Sequence, residues 1–591
     1  MNEAGTYDVI VVGAGPGGLS FGMHAARSGL NVLILERGNQ IGEKNASGCA
    51  LSPKCWMDLE FMKGLLEQVP SRIARRATLH FIGEDRREEG SISFSPSKRF
   101  AKGSPERDFL TVNVYRPDLD GWLAGLARDA GAKIETGALV TEVKVGDGIA
   151  TVTVNDDRKI TAPLVIGADG AISLVSSKMG IRRDGKWDSK DLALMLTVDF
   201  EAEEGIIDAL VGDQALHYYY GANFPIAYSF FNKDGFHVGL GHYIGWFLDQ
   251  DISPIACIEE LLNTPAIQRL IAMLDAKPRE FQAHVLPFVS KPTRLFGDGF
   301  MLLGDAAGLI CPLEAEGVYY AMLAGKIAAE VASDALRAKR FDAGFLSTYD
   351  QRIKKSPIGR EFSMGGEWKE FIDKVPFNLD ASKWVVPLLS DAMFAAINVN
   401  EAHADTVKHA HARVLELARV AYPKVKELAA PILTSLLDEF LGYYIKKLNL
   451  SFMLKPLLNS TKQMRSKMIT QVLDEWLSSR SGYRDQEDAI SLPPLSERIN
   501  KYSKVSFRNI IQVDPAVEDF LFHDLSKCTH CASCALICPV KLWRKQDERV
   551  HLEENYKNHC LECGACFLAC PEGAVNFAFP GDGKGVKYER G

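Results

Sequence analysis

Eight of the 12 cysteines in this 591-residue chain fall between positions 528 and 570 and follow one repeated pattern. Three cysteines are separated by two residues each, a fourth follows after three more, and a proline comes next. The pattern occurs twice, displaced by 32 residues, as Cys528, Cys531, Cys534 and Cys538 and again as Cys560, Cys563, Cys566 and Cys570. Cysteines crowded in this way in an intracellular chain indicate metal ligation more than disulfide bonds. The duplication therefore predicts a small metal-binding domain.

The spacing suits a [4Fe–4S] cubane, because a short loop can place three such cysteines around one cluster. The fourth cysteine, next to proline, reaches the other cluster in two-cluster ferredoxins. The predicted ligand sets are Cys528, Cys531, Cys534 and Cys570 for one cluster, and Cys560, Cys563, Cys566 and Cys538 for the other. Zinc is the alternative, but zinc ribbons take two ligands from each knuckle and fit this pattern less well. We predict two [4Fe–4S] clusters.

The N-terminal sequence YDVIVVGAGPGG, residues 7 to 18, predicts a nucleotide-binding βαβ unit. Its continuous apolar run is typical of a parallel strand buried on both faces. Gly13 then permits a tight turn, Gly15 lets the backbone approach a pyrophosphate, and Gly18 lets the next helix pack on the strand. A second strand, NVLILE, ends at Glu36, where a carboxylate can accept a hydrogen bond from a ribose hydroxyl. Together these features predict a bound dinucleotide.

A second glycine-rich turn lies near residue 304. There the sequence predicts a strand, a turn carrying Gly304 and Asp305, and an amphipathic helix that begins near Gly317. A helix N-terminus aimed at a flavin ring would stabilise negative charge on the reduced ring. The dinucleotide is therefore expected to be a flavin.

With these motifs the chain resembles the flavoprotein family that includes geranylgeranyl reductases, aromatic hydroxylases and electron-transfer-flavoprotein:quinone oxidoreductases, over about residues 5 to 355. The resemblance implies FAD. It implies that Asp305 binds the ribityl chain, that Arg116 in VYRPDLDG lies near the phosphates, and that Asp169 belongs to the Asp-Gly motif in VIGADG. The residues that we assign to the FAD site are Gly13, Gly15, Gly18, Glu36, Arg37, Ser47, Gly48, Arg116, Val140, Asp169, Gly304, Asp305, Gly317 and Val318.

Within that family the sequence looks most like the FixC type of quinone oxidoreductase. EKNASGCAL, residues 43 to 51, resembles the loop that follows the second strand there, although Cys49 stands where a glycine is expected. Residues 495 to 505 and 538 to 566, and the ending GKGVKYERG, resemble the small FixX ferredoxin that partners FixC. The chain thus resembles FixC and FixX fused into one polypeptide. Most fused quinone oxidoreductases hold one cluster, whereas this sequence has ligands for two.

The predicted fold is an α/β, Rossmann-like FAD-binding domain with an antiparallel substrate sheet, a helical insertion and a C-terminal α+β two-cluster ferredoxin domain. The FAD domain should span residues 1–365, with the sheet at about 195–290, because apolar and polar residues alternate there and NKDG reads as a hairpin turn. Apolar residues at helical spacing predict the insertion at 366–490. The ferredoxin domain should occupy 491–591.

Charge and hydropathy limit the possible partners. A net charge of −8 gives no general reason to expect nucleic acid. No signal-like segment and no long apolar run appear, so we expect a cytoplasmic chain without a spanning helix. Between Phe440 and Leu473 there are six basic residues and no acidic ones. This stretch can lie on an anionic membrane surface, on the cytoplasmic face, or pack as an ordinary helical insertion.

A flavin exchanges two electrons or one, whereas each cluster exchanges one, so the combination suits a relay between one-electron and two-electron partners. The resemblance implies that electrons pass from an electron-transfer flavoprotein or ferredoxin to a membrane quinone. Two alternatives stay open, a ferredoxin-coupled prenyl-lipid reductase that saturates isoprenoid double bonds, and an electron-wiring subunit of a larger bifurcating complex. The sequence identifies no catalytic acid or base.

Metal analysis tests the cysteine assignment. Protein purified without air is expected to be coloured and to hold about eight iron atoms per chain, since two cubanes contain four each. Inductively coupled plasma measurement of iron and zinc on the same sample gives the answer. Zinc in place of iron, or a colourless protein, would contradict it.

Overall fold

The computed structural model describes residues 7–374 and 495–591, apart from 84, 96–108, 183–185, 222, 225–226, 313–314 and 517. Its strands are β1 (Val9–Val12), β2 (Val32–Leu35), β3 (Ala50–Leu51), β4 (Arg72–Ala74), β5 (Ala77–Ile82), β6 (Glu88–Phe94), β7 (Thr111–Asn113), β8 (Lys133–Glu135), β9 (Val140–Gly146), β10 (Ile149–Val154), β11 (Arg158–Ala162), β12 (Leu164–Gly167), β13 (Leu192–Glu201), β14 (Leu216–Gly221), β15 (Ala227–Phe231), β16 (Gly235–Tyr243), β17 (Lys277–Pro287), β18 (Phe296–Gly297), β19 (Phe300–Leu302), β20 (Gln512–Asp514), β21 (Leu521–His523), β22 (Trp543–Gln546), β23 (Arg549–Leu552), β24 (Val575–Phe577) and β25 (Gly585–Lys587).

The α-helices of the described residues are α1 (Pro16–Arg27), α2 (Lys54–Asp58), α3 (Leu65–Gln68), α4 (Arg116–Asp129), α5 (Leu174–Lys178), α6 (Glu204–Leu210), α7 (Ile244–Asp249), α8 (Pro254–Leu262), α9 (Pro265–Met273), α10 (Val318–Ala338), α11 (Ala343–Lys355), α12 (Pro357–Lys374), α13 (Leu495–Arg498), α14 (Ser533–Ile537) and α15 (Ala565–Ala569).

A six-stranded sheet forms the nucleotide-binding half, in the order β18-β19-β12-β1-β2-β8. Strand β1 lies parallel between β12 and β2, and all four of its side chains are buried. Helix α1 follows β1 and packs on α10, where the Ser20 hydroxyl donates to the Met322 carbonyl at 2.8 Å. A strand buried on both faces and a helix packed behind it bring the carboxyl ends of β1, β2, β12 and β19 to one edge.

A seven-stranded sheet forms the second layer, in the order β17-β13-β16-β15-β14-β5-β6. Its strands are antiparallel except for the pair β14 and β5, which is parallel. The predicted sheet at 195–290 is present, with its first strand at Leu192 and its last ending at Pro287. The NKDG turn joins β15 to β16, and Asn232 N–H donates to the Gly235 carbonyl. Strands β5 and β6 are an addition that the sequence did not predict.

The C-terminal residues form the α+β ferredoxin-like part. Two short helices, α14 and α15, each begin after a residue in the left-handed region, Ala532 at φ 69° and Gly564 at φ 68°. Both helices end next to the last cysteine of their motif, Cys538 or Cys570. Three two-stranded ribbons, β20–β25, β21–β24 and β22–β23, surround them. The structure thus repeats the duplication seen in the sequence.

The described residues up to 369 and those from 495 to 591 cluster as one compact unit. The predicted insertion at 366–490, with its basic stretch, lies outside the described residues from 375 onward. The finer division into three domains stays a prediction. In the ranges that the structure describes, no helix is both long enough and apolar enough to cross a bilayer.

Close packing of α1 on α10 makes a testable stability prediction. A Cβ atom on Gly325 would lie 2.4 Å from the Gly17 carbonyl oxygen, so Gly325→Ala must push the two helices apart. We expect a loss of about 1–3 kcal/mol in the free energy of unfolding. Gly125→Ala on α4 is the matched control, because nothing lies within 4 Å of its Cβ and helical alanine gains about 0.5–1 kcal/mol. Thermal unfolding compares them, and equal midpoints would contradict the packing argument.

Candidate functional site

A cleft of about 1630 Å³, partly open to solvent, runs along the carboxyl edge of the six-stranded sheet. Its walls include Gly13 after β1, Glu36 after β2, Asp169 after β12 and Asp305 after β19. Ligands of open α/β sheets bind outside the carboxyl ends of the strands. The cleft therefore has the position of a dinucleotide site.

The first glycine turn is closely packed on one side and open on the other. Gly13 has φ +99°, and a Cβ there would lie 2.4 Å from the Ala168 carbonyl oxygen. A Cβ on Gly18 would lie 2.1 Å from the Gly13 carbonyl oxygen, which brings α1 tightly against the turn. At Gly15, the residue before α1, nothing lies within 4 Å of the Cβ position. Free N–H groups at the start of α1 thus border an open space that fits a pyrophosphate.

Glu36 shapes the turn as well as facing the cleft. Its Oε2 accepts the Ala14 N–H at 2.9 Å, and its Oε1 accepts the Gly38 N–H at 2.8 Å. Each carboxylate oxygen has a second lone pair available. The side chain can therefore accept from a ribose hydroxyl while it holds both backbone loops.

Arg116 is partly buried beside the fully buried Asp120, its partner one turn along α4. Its Nη2 donates to Asp120 Oδ2 at 2.9 Å, and the same carboxylate oxygen accepts Asn45 Nδ2 at 2.6 Å. Arg116 and Asn45 both line the cleft, whereas Asp120 does not. The arginine is thus held in place by a buried carboxylate and leaves donors for an anion in the cleft.

Asp169 is engaged with the start of α5. Its carboxylate accepts the Ser173 hydroxyl at 2.6 Å and the Val175 N–H at 3.1 Å. Burial raises the pKa of Asp169, and these hydrogen bonds partly offset that rise. Asp305 lies elsewhere on the wall, with His284 Nε2 3.8 Å from its Oδ2. Of these two acids, Asp169 is the one whose carboxylate accepts a hydrogen bond from a backbone N–H.

Twelve of the fourteen residues assigned to the FAD site from sequence line this cleft, namely Gly13, Gly15, Glu36, Arg37, Ser47, Arg116, Val140, Asp169, Gly304, Asp305, Gly317 and Val318. The structure places the other two, Gly18 and Gly48, outside the lining. Gly48 lies beneath the rings of Phe230 and Tyr228, 3.0 Å and 3.2 Å from its Cβ position. Next to it, burial raises the pKa of the Cys49 thiol to about 12, as expected for a packed, unreactive cysteine.

One wall of the cleft was not predicted from the sequence. Residues of the ferredoxin part complete it, namely Leu561, Glu562, Cys563, Phe579, Val586 and Tyr588. They are joined by Lys44 and by His284 of β17. No local motif indicates that residues 561–588 meet a loop at 36–47. Only the presence of two cofactor motifs in one chain hinted that their sites lie close together.

The second cysteine motif borders a smaller cavity of about 350 Å³. Four cysteines line it, Cys538, Cys560, Cys563 and Cys566. These four are the set predicted from sequence for one cluster, with the fourth ligand taken from the other motif. Apolar side chains, including Trp543 and Phe577, complete the lining. Four thiols facing one cavity are the donor set that a [4Fe–4S] cubane takes.

The other four cysteines also lie near one another. Burial, together with the thiols of Cys531, Cys570 and Cys528, raises the pKa of Cys534 to about 12. Cys531 is exposed, whereas no cysteine of the second set is. No three His, Cys, Asp or Glu side chains of the described residues are close enough to hold a single metal ion.

Backbone amides point at several of the cysteine sulfurs. His530 N–H donates to Cys528 Sγ at 3.4 Å, Leu542 N–H to Cys538 Sγ at 3.4 Å, and Ala574 N–H to Cys570 Sγ at 3.2 Å. Burial also raises the pKa of Cys563 to about 12, with Cys538 adding to the rise. The Cys563 thiol is therefore protonated at neutral pH without metal, and cluster binding would release its proton.

Cys563 lines both cavities. Its neighbours in the wall, Leu561 and Tyr588, come from the same ferredoxin part, and the Tyr588 hydroxyl donates to the Leu561 carbonyl at 3.2 Å. Leu561 also lines both cavities, so two residues, Leu561 and Cys563, separate the space for a flavin from the space for a cluster.

Comparison with known proteins agrees with both halves. The FAD binding domain family matches residues 6–352, and the 4Fe-4S dicluster domain family matches residues 523–575. The chain is 28% identical to Protein FixC of Escherichia coli (strain K12) over 381 residues, which cover 62% of this chain and 86% of FixC. It is 27% identical over 375 residues to digeranylgeranylglycerophospholipid reductase 2 of Methanothermobacter thermautotrophicus, covering 62% and 88%. The resemblance predicted from sequence is confirmed.

A solved structure extends the agreement to the fold. The geranylgeranyl bacteriochlorophyll reductase-like protein from Thermoplasma acidophilum superposes with a TM-score of 0.53 at 23% identity. The match covers 72% of this chain and 98% of that protein. The predicted fold class, a Rossmann-like flavin domain followed by a ferredoxin-like domain, is confirmed.

The open space beside Gly15 predicts a variant that weakens FAD binding without disturbing the packing of the protein. Gly15→Ala places a methyl group in the cleft where a pyrophosphate would pass, while it touches no protein atom within 4 Å. We expect FAD affinity to fall by at least about tenfold, or 1.4 kcal/mol, with the stability of the cofactor-free protein unchanged. Fluorescence titration with FAD measures the affinity, with Gly121→Ala on α4 as control. Unchanged FAD affinity would contradict this placement.

Proposed function

The chain belongs to the FAD binding domain family and carries a 4Fe-4S dicluster domain, which makes it a flavin and iron–sulfur oxidoreductase, and we propose that it relays electrons from a one-electron protein donor to a quinone. The donor is an electron-transfer flavoprotein or a ferredoxin. Two [4Fe–4S] clusters, held by the ligand sets given above, connect the donor to FAD. When bound, FAD supplies the exchange between one-electron and two-electron chemistry.

One observation carries this proposal, the shared wall at Cys563. Because this cysteine borders both cavities, a cluster bound by the second set and a flavin in the cleft would be adjacent. Such adjacency has no use in a flavin enzyme that takes hydride directly from a nicotinamide. It supports a relay in which electrons reach or leave the flavin through the ferredoxin part.

The exposure of the cysteines supports an order for the relay. Cys531 is exposed, whereas Cys538 and Cys560 are buried. A protein donor must approach a cluster from solvent, so the first set is the contact point. The second set then carries electrons inward to the cleft.

One face of the seven-stranded sheet supports the proposal that the acceptor is a quinone. Residues paired across strands lie on the same face. Tyr228 pairs with Gly239, and Gly239 pairs with Thr197 on β13. Met195 lies two residues before Thr197 on β13, and it pairs with His284. Tyr228 therefore shares a face with His284, which lines the cleft.

Toward the edge strand β6, this face is apolar and aromatic. Tyr218 pairs with Tyr228 and with Leu79, and Leu79 pairs with Ile92 on the edge strand β6. Ile92 is 40% exposed, so this row of apolar side chains reaches solvent at the edge of the sheet. Tyr219, next to Tyr218 on the same strand, is buried on the opposite face. The arrangement suits a ring with an isoprenoid tail, drawn from a membrane by peripheral contact.

A prenyl-lipid reductase is the second candidate function. It is favoured by the 27% identity with digeranylgeranylglycerophospholipid reductase 2. The same apolar face would then hold the isoprenoid chain as the group to be reduced. The two functions differ in product, hydroquinone or saturated lipid.

Anaerobic titration tests the relay. Reduced electron-transfer flavoprotein is expected to bleach the visible flavin absorbance of the holoprotein, and a menaquinone analogue to restore it. Cys563→Ser removes a ligand next to the cleft, so its flavin should be bleached by dithionite but at least about tenfold more slowly by the protein donor. Cys257→Ser, which changes a buried cysteine outside both cavities, is the control.

Two outcomes would contradict the proposal. If neither partner exchanges electrons with the flavin, the quinone relay is wrong, and product analysis with an unsaturated prenyl lipid decides for the second function. If the protein donor bleaches Cys563→Ser as fast as the wild type, electrons do not pass through the second cysteine set.

A further inference from the structure

Glu562 lies between two cysteines of the second motif and has an unusual backbone conformation. Its φ is +53°, in the left-handed region that favours glycine. Its N–H donates to Cys560 Sγ at 3.4 Å. A non-glycine residue held in this region is costly unless the surroundings require it. We therefore expect the Glu562 side chain to have a role.

The Glu562 carboxylate is buried against the flavin half of the molecule. Its side chain is 1% exposed, and Oε2 lies 2.7 Å from Arg37 Nη1. Oε1 accepts the Val586 N–H at 2.6 Å. A Cβ on Gly585 would lie 1.6 Å from Glu562 Oε1. Only a residue without a side chain therefore fits at position 585, where the backbone passes the carboxylate.

Arg37 connects this carboxylate to the cleft. It directly follows Glu36, lines the cleft, and stacks over the ring of Phe579 with 4.1 Å between guanidinium and centroid. Lys44 lies on the same side, and its Nζ donates to the carbonyls of Lys584 and Val586. Two cations of the flavin half thus interact with Glu562: Arg37 by an ion pair and Lys44 electrostatically.

The duplication supplies a built-in comparison. The position equivalent to Glu562, 32 residues earlier, is His530. Its φ is +57° and its N–H donates to Cys528 Sγ at 3.4 Å, so the turn is the same. Its Nδ1 instead accepts the Val550 N–H at 3.1 Å, inside the ferredoxin part. Only the second motif has an acid here, and only that motif borders the cleft.

A buried charge acts strongly on a nearby redox centre. Reduction adds negative charge to a cluster, and a carboxylate in a poorly solvated site opposes it, which lowers the reduction potential. A cation beside the cluster has the opposite effect. Exposed charges of the same domain are screened by water and salt and have little influence.

We propose that Glu562 and Arg37 form a potential-setting pair, in which Glu562 holds down the reduction potential of the cluster bound by the second cysteine set and Arg37 offsets it from the flavin side. Glu562 is a positioning residue for that cluster loop as well, because its carboxylate joins the loop to the cleft wall. The inference rests on the cofactor content of the proposed function but not on the identity of donor or quinone.

Potentiometric titration of the purified holoprotein, followed by EPR of the reduced clusters, tests the pair. Glu562→Gln is expected to raise the potential of one cluster and leave the other where it is. Arg37→Gln is expected to lower the same potential, and Glu562→Asp, which keeps the charge, to stay near wild type. Glu548→Gln is the matched control, because it removes one acid from a side chain that is 91% exposed, and it should shift neither cluster.

The directions of the two shifts in reduction potential distinguish an electrostatic effect from structural damage to the protein. If Glu562→Gln and Arg37→Gln move the potential in the same direction, or both clusters shift together, the pair only holds structure and the proposal is overturned. An unshifted Glu562→Gln overturns it too. EPR reports only the clusters that are present, so partial loss of iron does not mask the result. Neither donor nor quinone is used, so failure of the relay experiment leaves this test independent.

Discussion

Electron transfer between two protein-bound centres requires that they be held close together, and here that contact is the wall containing Cys563. A ferredoxin joined to a flavin domain by a loose linker would meet it only part of the time. In this chain the two parts instead cluster as one compact unit, and residues 561–588 complete the cleft. The cofactor space of the N-terminal half is therefore not finished until the C-terminal half has packed against it.

Polar contacts fix how the ferredoxin part seats on the flavin part. Tyr588 N–H donates to the Glu43 carbonyl at 2.8 Å, and Glu589 N–H donates to Glu280 Oε2 at 2.6 Å. Gly564 approaches so closely that a Cβ would lie 2.2 Å from Ile172 Cδ1. A buried polar group costs about 1–3 kcal/mol when its partner is lost. A shift of the interface by even one residue would break several such pairs at once, so a single arrangement is favoured.

The parts of the site that sequence predicted are those whose chemistry is local. Gly13, Gly15 and Glu36 are spaced by the geometry of one βαβ unit, and three cysteines of each motif by that of one loop. The parts that it missed depend on pairs distant in the chain. Glu562 meets Arg37 across 525 residues, and strand β5 joins the sheet through β14, more than a hundred residues later. Periodicity gives the kind of element and its buried face, but it does not name the neighbouring strand.

The cleft has two different sides, and this separation matters for any relay. The ferredoxin wall meets the flavin space at Cys563, whereas the apolar sheet face meets it at His284. Both sides are joined by β17, where the Ala283 carbonyl oxygen lies 3.4 Å from the Tyr588 hydroxyl oxygen and the next residue is His284. An organic acceptor on the sheet face would therefore have no need to approach the clusters. The acceptor would exchange electrons only with the flavin, so electrons delivered singly by the clusters would leave the protein in pairs.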